Sequence, residues 1–234
     1  CMLVCGRNVA KEILLGNKKI KKCYLQEGFK EENILSLLEK RNIKINYFDK
    51  NTKDDFFKMP HQGIILDIED FKYSSLDELN VDNAKVIILD HLEDPHNLGA
   101  IVRTVEAANL TGIIIPKDRA TDVNYTVVKT SAGAIENVKI SQVANINSTI
   151  IKLKELGFWI VGTTLNATDD FKDIDYSGKI AVVIGNEGKG ISESTIKHLD
   201  FNVKIPMYGK TNSLNASVAA ALMIYEIVRK GKDE

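Results

Sequence analysis

Three segments of the chain combine glycine with the polar side chains that chemistry requires. They span residues 90–107, 185–192 and 205–217, and each follows a predicted strand. Amide, carboxylate, hydroxyl and guanidinium groups can orient a substrate, stabilise a developing charge or help to move a proton. The side chains of this kind in the three segments include Asn97, Arg103, Glu187, Ser213 and Asn215.

Each segment taken alone also has a structural explanation. Asn97 is predicted to cap a helix, and Arg103, six residues later, is expected either to face the same side of the sheet edge or to lie on the surface. The glycines of 185–192 allow the backbone to approach a ligand closely, or they form a flexible turn. Ser213 and Asn215 open a helix rich in small residues, as an ordinary N-cap would.

Two nucleotide-binding motifs fail on spacing. Gly209-Lys210-Thr211 resembles the end of a phosphate-binding loop, but Lys204 stands where that loop needs glycine. The glycines of 185–190 do not follow the G-x-G-x-x-G spacing of a dinucleotide site. A nucleotide-dependent enzyme of either kind is therefore disfavoured.

The apolar pattern predicts a parallel α/β sheet that positions these three segments. Residues 85–234 alternate apolar strands with helices, as in a sheet that is covered on both faces. Ligands bind such sheets beyond the carboxyl ends of the strands, where the three segments begin. Residues 2–70 form a smaller α/β domain, and the polar residues 71–84 are predicted to be a linker. In the larger domain we predict strands at 85–90, 112–115, 158–163, 180–184 and 203–205, and helices at 97–109, 125–130, 147–156, 192–198 and 215–230.

Composition and charge narrow the class of protein. The chain of 234 residues is 44% apolar and 27% charged, which is typical of a globular protein and excludes a disordered or collagen-like chain. The three cysteines favour neither a disulfide framework nor a zinc site, and we expect a cytoplasmic protein without membrane spans. Residues 1–72 carry 14 basic and 11 acidic side chains, a net charge of +3. The basic excess is densest at Arg7, Lys11, Lys18, Lys19, Lys21 and Lys22, which are expected either to follow a nucleic-acid phosphate backbone or to form a solvated surface.

Together, the three segments resemble the signature motifs of the SpoU (TrmH) branch of the SPOUT methyltransferases. N-x-G-x-x-x-R matches Asn97, Gly99 and Arg103, and G-x-E-G-x-G matches residues 185–190. I-P-M followed by S-L-N-x-S-x-A matches residues 205–207 and 213–219. Residues 5–9, 61–63 and 129–134 resemble the RlmB-like subgroup, so the likeness covers essentially the whole chain.

The resemblance implies a fold and an activity. It implies a C-terminal parallel-sheet domain with a deep trefoil knot, and a small N-terminal domain similar to ribosomal protein L30e that binds RNA. It implies a homodimer that uses S-adenosylmethionine, without a metal, to methylate a ribose 2'-hydroxyl of a guanosine in 23S ribosomal RNA. The alternatives are a transfer RNA methyltransferase, a ribosomal RNA methyltransferase that confers resistance, and a non-catalytic RNA-binding protein.

The resemblance also assigns roles to residues. Arg103 either acts as a base or stays charged and stabilises the developing alkoxide, while Asn97, Glu187, Ser213 and Asn215 orient it and the ribose. S-adenosylmethionine is expected to lie mostly against main chain. The residues expected to bind it are Thr163, Gly185, Ile205, Met207 and Leu214.

The last predicted helix carries more apolar residues than one buried stripe needs. We expect its excess apolar surface and the helix 97–109 to form a two-fold dimer interface. Ile227 is expected to lie on the exposed side of that helix.

Overall fold

The computed structural model describes residues 2–49 and 60–231. The chain divides between Lys72 and Tyr73 into two compact units. Within the described ranges, no helix is long and apolar enough to cross a membrane.

The first unit is a four-stranded sheet with two helices. Strand order is β1-β4-β2-β3, with β4 antiparallel to both neighbours and β3 parallel to β2. All five residues of β4 are buried, which places this strand at the centre of the core. β1 was not among the predicted strands. The elements are β1 (Met2–Cys5), α1 (Arg7–Leu15), β2 (Ile20–Gln26), α2 (Glu32–Lys40), β3 (Ile45–Phe48) and β4 (Ile64–Ile68).

The second unit is an α/β structure built on seven parallel strands, which confirms the predicted sheet. Its order is β7-β6-β5-β10-β8-β11-β9, so β10 lies between strands that come much earlier in the chain. The short strands β7 and β9 were not predicted, and α6 is shorter than expected. The elements are β5 (Lys85–Asp90), α3 (Pro95–Ala107), β6 (Gly112–Pro116), α4 (Tyr125–Thr130), β7 (Lys139–Val143), α5 (Ile146–Glu155), β8 (Trp159–Thr163), β9 (Asp169–Asp170), β10 (Ile180–Gly185), α6 (Glu193–Ile196), β11 (Phe201–Lys204) and α7 (Ala216–Lys230).

The alignment of β5 with β10 brings the first two motif segments to one edge. Leu89 is opposite Ile184, and Asp90 is opposite Gly185. Both strands therefore end at the same level, and the segments that follow leave the sheet side by side.

The segment that was predicted to be a linker is partly structured on the second unit. Ser74 forms an isolated parallel β-bridge with Ser141 of β7, and a 3-10 turn spans Asp77–Leu79. Leu79 is fully buried in the cluster that joins α5 to one face of the sheet. Apolar residues within the polar stretch thus fix it to the sheet.

Two cysteines lie within the described part of the chain, and both are free thiols. Burial raises the pKa of Cys23 to about 12. Since the thiolate is the reactive form, Cys23 behaves as a small core residue at neutral pH. Cys1 lies outside the described residues.

Candidate active site at the carboxyl edge of the parallel sheet

The first motif begins α3, and Asn97 is not the residue that caps this helix. Asp94 is the N-cap, and its carboxylate accepts a hydrogen bond from the backbone N–H of His96 at 2.8 Å. Pro95 opens the helix, a position that suits its fixed φ and missing N–H. The prediction that Asn97 caps the helix is therefore wrong. Asn97 lies within the first turn, and its amide is available for another contact.

Asn97 joins the first motif to the second. Its side-chain amide donates a hydrogen bond to Glu187 Oε1 at 3.0 Å, across 90 positions of sequence. Asn97 is only 7% exposed, whereas Glu187 is exposed. A buried amide thus holds one oxygen of a carboxylate that faces outward. Two residues predicted for the site are brought together here.

Arg103 lies on a different face of α3. Six residues of helix turn the chain by about 600°, so the Asn97 and Arg103 side chains point about 120° apart. The expectation that the two face the same side is not met. Arg103 is exposed, and it makes no hydrogen bond or ion pair with any other residue that the structure describes. Its guanidinium group is thus available to a ligand.

Gly99 in the first motif is a packing residue. A Cβ atom at Gly99 would overlap the Thr130 hydroxyl and approach the Val127 carbonyl oxygen to 3.2 Å. α3 and α4 therefore pack closely only because position 99 lacks a side chain.

The second motif is a tight hairpin. Asn186 and Gly190 exchange two backbone hydrogen bonds, and a Cβ at Gly185 would clash with the main chain of Gly190 and Ile191. The side-chain oxygen of Asn186 accepts from the N–H groups of Gly188 and Lys189, at 2.9 and 3.2 Å. This network fixes the loop that carries Glu187.

Asp90 and His91 secure both ends of that hairpin. Asp90 is 1% exposed; Oδ2 accepts from the N–H of Ser192 at 2.8 Å, and Oδ1 lies 2.6 Å from His91 Nδ1. The carbonyl oxygen of His91 accepts from the Asn186 amide at 2.8 Å. Sequence reasoning did not single out Asp90, His91 or Asn186 as site residues. A carboxylate at the very end of a buried strand was the signal that could have identified Asp90.

The third motif presents unpaired main chain. From Ile205 to Leu214 the backbone makes no hydrogen bond with any other described residue. Ser213 is exposed and likewise has no hydrogen-bond partner in the described ranges. Asn215 caps α7, because its side-chain oxygen accepts from Ser217 N at 2.9 Å and Ser217 Oγ at 2.6 Å. The structural explanation offered for Asn215 thus applies.

Of the five residues expected to hold a cofactor, three lie at the ends of strands, and Met207 and Leu214 lie between β11 and α7. Thr163 ends β8, Gly185 ends β10, and Ile205 follows β11. Thr163, Gly185, Ile205 and Met207 are half-buried, and Leu214 is 36% exposed. Free N–H and C=O groups next to apolar surface suit an adenine ring, whose edge hydrogen-bonds and whose faces are apolar. The free main-chain groups and the half-buried apolar side chains of this region therefore fit S-adenosylmethionine.

The six basic residues singled out in the first unit divide into three groups. Arg7 donates to Glu31 at 2.7 Å, and Lys21 pairs with Asp70 at 3.2 Å. Lys18 is half-buried, whereas Lys11, Lys19 and Lys22 are exposed. The last three keep their charge accessible.

Within residues 2–49 and 60–231, no three His, Cys, Asp or Glu side chains are grouped so that they could hold a metal ion. The groups at this edge are amides, hydroxyls, the carboxylates of Asp90 and Glu187, and main chain. They suit hydrogen bonding and electrostatic stabilisation of a substrate.

Two protein-family models and several known proteins match this chain. Residues 84–225 match the model of the SpoU rRNA Methylase family, and residues 3–74 match that for RNA 2'-O ribose methyltransferase substrate binding. A relative from Staphylococcus epidermidis, named for the TrmH family of tRNA/rRNA methyltransferases, is 40% identical over 238 residues and covers 98% of this chain and 96% of its own.

Two solved structures have the same fold. The AdoMet-bound rRNA methyltransferase from Sinorhizobium meliloti has a TM-score of 0.69 at 25% identity, covering 97% of this chain and 87% of its own. The SpoU methyltransferase AviRb from Streptomyces viridochromogenes, in complex with AdoMet, has a TM-score of 0.72 at 24% identity. The match covers 99% of this chain and 91% of the AviRb chain. The match of residues 84–225 to one family model, together with a relative that is 40% identical over 98% of the chain, shows that this chain belongs to the SpoU (TrmH) family of RNA methyltransferases.

Proposed function

We propose that this chain transfers a methyl group from S-adenosylmethionine to a ribose 2'-hydroxyl of RNA, with a guanosine of 23S ribosomal RNA as the favoured target. The observation that carries the proposal is the Asn97–Glu187 hydrogen bond. It joins two motifs beside a third whose main chain is free to bind a ligand.

The chemistry requires little from the protein beyond placement and electrostatics. S-adenosylmethionine supplies an electrophilic methyl group on a sulfonium. The third motif would bind its adenine by main chain, and Thr163 and Met207 would add walls. Asn97 would orient Glu187, which would accept a hydrogen bond from the attacking ribose hydroxyl. As the oxygen–methyl bond forms, the sulfur–methyl bond would break, the neutral thioether would leave, and the hydroxyl proton would pass to solvent. Arginine is charged in proteins under ordinary conditions, so Arg103 stabilises the negative charge that develops on the attacking oxygen.

We infer that the first unit holds the RNA. The substrate-binding family match over residues 3–74 supports this, as do the exposed charges of Lys11, Lys19 and Lys22. Replacing all three with glutamine should weaken RNA binding. The slope of the binding constant against salt concentration should fall by the amount that corresponds to about three phosphate contacts. Replacing Lys40, Lys44 and Lys30, exposed on the same unit, is the matched control.

We also propose a homodimer and a trefoil knot in the second unit. α7 exposes Val218, Leu222 and Tyr225, which are spaced as one apolar stripe. The insertion of β10 between β5 and β8 is the kind of strand order that a threaded chain produces. Single-molecule pulling tests the knot. A knotted second unit should resist unfolding when force is applied at either end of the chain.

Two measurements test the activity. Calorimetry should detect one S-adenosylmethionine per chain, and the protein should move labelled methyl groups from it to RNA isolated from a deletion strain. Mapping 2'-O-methyl positions in that RNA then separates 23S from transfer RNA. Cofactor binding without any methyl transfer would favour the non-catalytic RNA-binding alternative, and absence of cofactor binding would overturn the proposal.

A further inference from the structure

A small cavity lies at the carboxyl edge of the sheet. Its walls come from the residues that follow β5, β6 and β7 and from residues 192–195, and its volume is about 170 Å³. Residues 205–214 are not part of its lining. Sites for drug-sized ligands run from about 300 to 1,000 Å³, whereas about 150 Å³ accommodates a benzene ring. This cavity therefore fits one small ring system and is too small for S-adenosylmethionine.

One wall of this cavity is fixed by hydrogen bonds. Thr195 Oγ1 donates to Asn147 Oδ1 at 2.9 Å, and Ser192 Oγ lies 2.7 Å from Thr195 Oγ1. Thr195 is buried, and the backbone of Ser192 is held by Asp90. A planar ligand would meet a wall that is already ordered.

The lining also includes two adjacent side chains of opposite charge, Asp118 and Arg119. Asp118 and Arg119 are exposed and, across the described ranges, neither side chain forms an ion pair or hydrogen bond. Arg119 has a φ of 52° and His91, also in the lining, a φ of 60°. Such left-handed geometry is costly for residues with side chains and is common at ligand sites. The fold thus accepts strain to present these groups.

We propose that this cavity binds a guanine base of the RNA substrate, an inference that rests on the proposed function. Guanine presents the adjacent acceptors O6 and N7, which an arginine fork matches in a bidentate contact. Its N1–H and N2 amino group form an adjacent donor pair that a carboxylate accepts. Adenine, cytosine and uracil each lack at least one of these two pairs. Arg119 and Asp118 together therefore select guanine.

The test uses nucleoside 5'-monophosphates with the full-length protein and no cofactor. GMP should bind at least about fivefold more tightly than AMP, CMP or UMP, and should shift the amide resonances of residues 117–119 and 192–195. Inosine monophosphate, which lacks the N2 amino group, should bind more weakly than GMP. Equal affinity for all four nucleotides, or no binding at millimolar nucleotide, would overturn the proposal.

Variants assign the effect to the two side chains. Asp118→Asn should abolish the difference between GMP and inosine monophosphate, and Arg119→Gln should weaken GMP binding at least about fivefold. Lys117→Gln, an exposed residue on the same loop outside the lining, is the matched control. Because both positions are exposed, unchanged thermal unfolding will show that the variants fold. If GMP selectivity survives both substitutions, the cavity is not the binding site.

These results are separable from the proposed activity. Nucleotide selectivity is measured without S-adenosylmethionine, so a protein that selects GMP but binds no cofactor would contradict the proposed function alone. A protein that methylates RNA but shows no guanine selectivity would contradict only this inference.

Discussion

Single side chains at this site act through hydrogen bonds to two carboxylates. Glu187 faces outward and is held by a buried amide, whereas Asp90 is buried and holds the loop that carries Glu187. Arg103 makes neither kind of contact. The residues thus divide into those that would meet the substrate and those that position them.

Replacing Arg103 with alanine should lower methyl transfer by about a hundredfold or more, the cost of losing one stabilising donor. Cofactor affinity, measured by calorimetry, should hardly change, because Arg103 lies on α3 and not in the third motif. Arg103→Lys should also fail if a planar fork is needed. Near-normal turnover in Arg103→Ala would remove this residue from the mechanism.

Asp90→Asn replaces one acceptor oxygen with an amide group and leaves Ser192 N or His91 Nδ1 without its partner. We expect a loss of about 1–3 kcal/mol in unfolding free energy and a fall in kcat for methyl transfer. Asp200→Asn is the control, because Asp200 accepts from Ile160 N at 2.9 Å at the opposite edge of the sheet. Equal loss of kcat in both variants would mean that Asp90 serves stability alone.

At the scale of elements, close packing of α3 against α4 sets where the first motif lies. A methyl group at position 99 has no room beside Thr130. The motif glycine therefore acts on helix placement and not on a ligand.

Gly99→Ala should lower the unfolding free energy by about 1–3 kcal/mol, the usual cost of overpacking. Thr130→Ala in the same chain should recover part of that loss, since it removes the overlapping hydroxyl. Urea unfolding measures both, and Gly209→Ala, where a Cβ meets nothing within 4 Å, is the control. A neutral Gly99→Ala would show that α4 moves freely.

Most elements could be predicted from apolar spacing, and the failures have physical causes. β7 has only two apolar residues among five, and β9 consists of two aspartates, so no apolar pattern indicated either strand. Asn97 was misassigned because Asp94, Asn97 and the proline between them all suit a helix start. Its pairing with Glu187 depends on β5 lying next to β10, and spacing along the chain does not reveal which strands are neighbours.

At the scale of the whole molecule, the apolar stripe of α7 is the surface on which assembly would depend. The prediction that Ile227 lies on its exposed side is wrong: Ile227 is buried, as are Met223 and Ile224. Leu222 and Tyr225 are 41% and 53% exposed instead.

Leu222→Glu should convert a dimer to monomers, because a charge would be buried at the interface. Sedimentation at micromolar concentration measures the change. Ile151→Glu, at an exposed apolar position on α5, is the matched control. Should the unmodified chain run as a stable, fully active monomer, the proposed interface is wrong.

The central place of β10 has a consequence for how the chain acquires its structure. Ile88 of β5 pairs with Val183 of β10, 95 positions later, and β10 also completes the edge of β8. Until β10 is synthesised, β5 and β8 both expose apolar edges that invite pairing with other chains. Contacts so distant in sequence form slowly. A chain whose synthesis ends before residue 180 would therefore be prone to aggregate. Synthesis of the six residues of β10 covers these edges of β5 and β8 together.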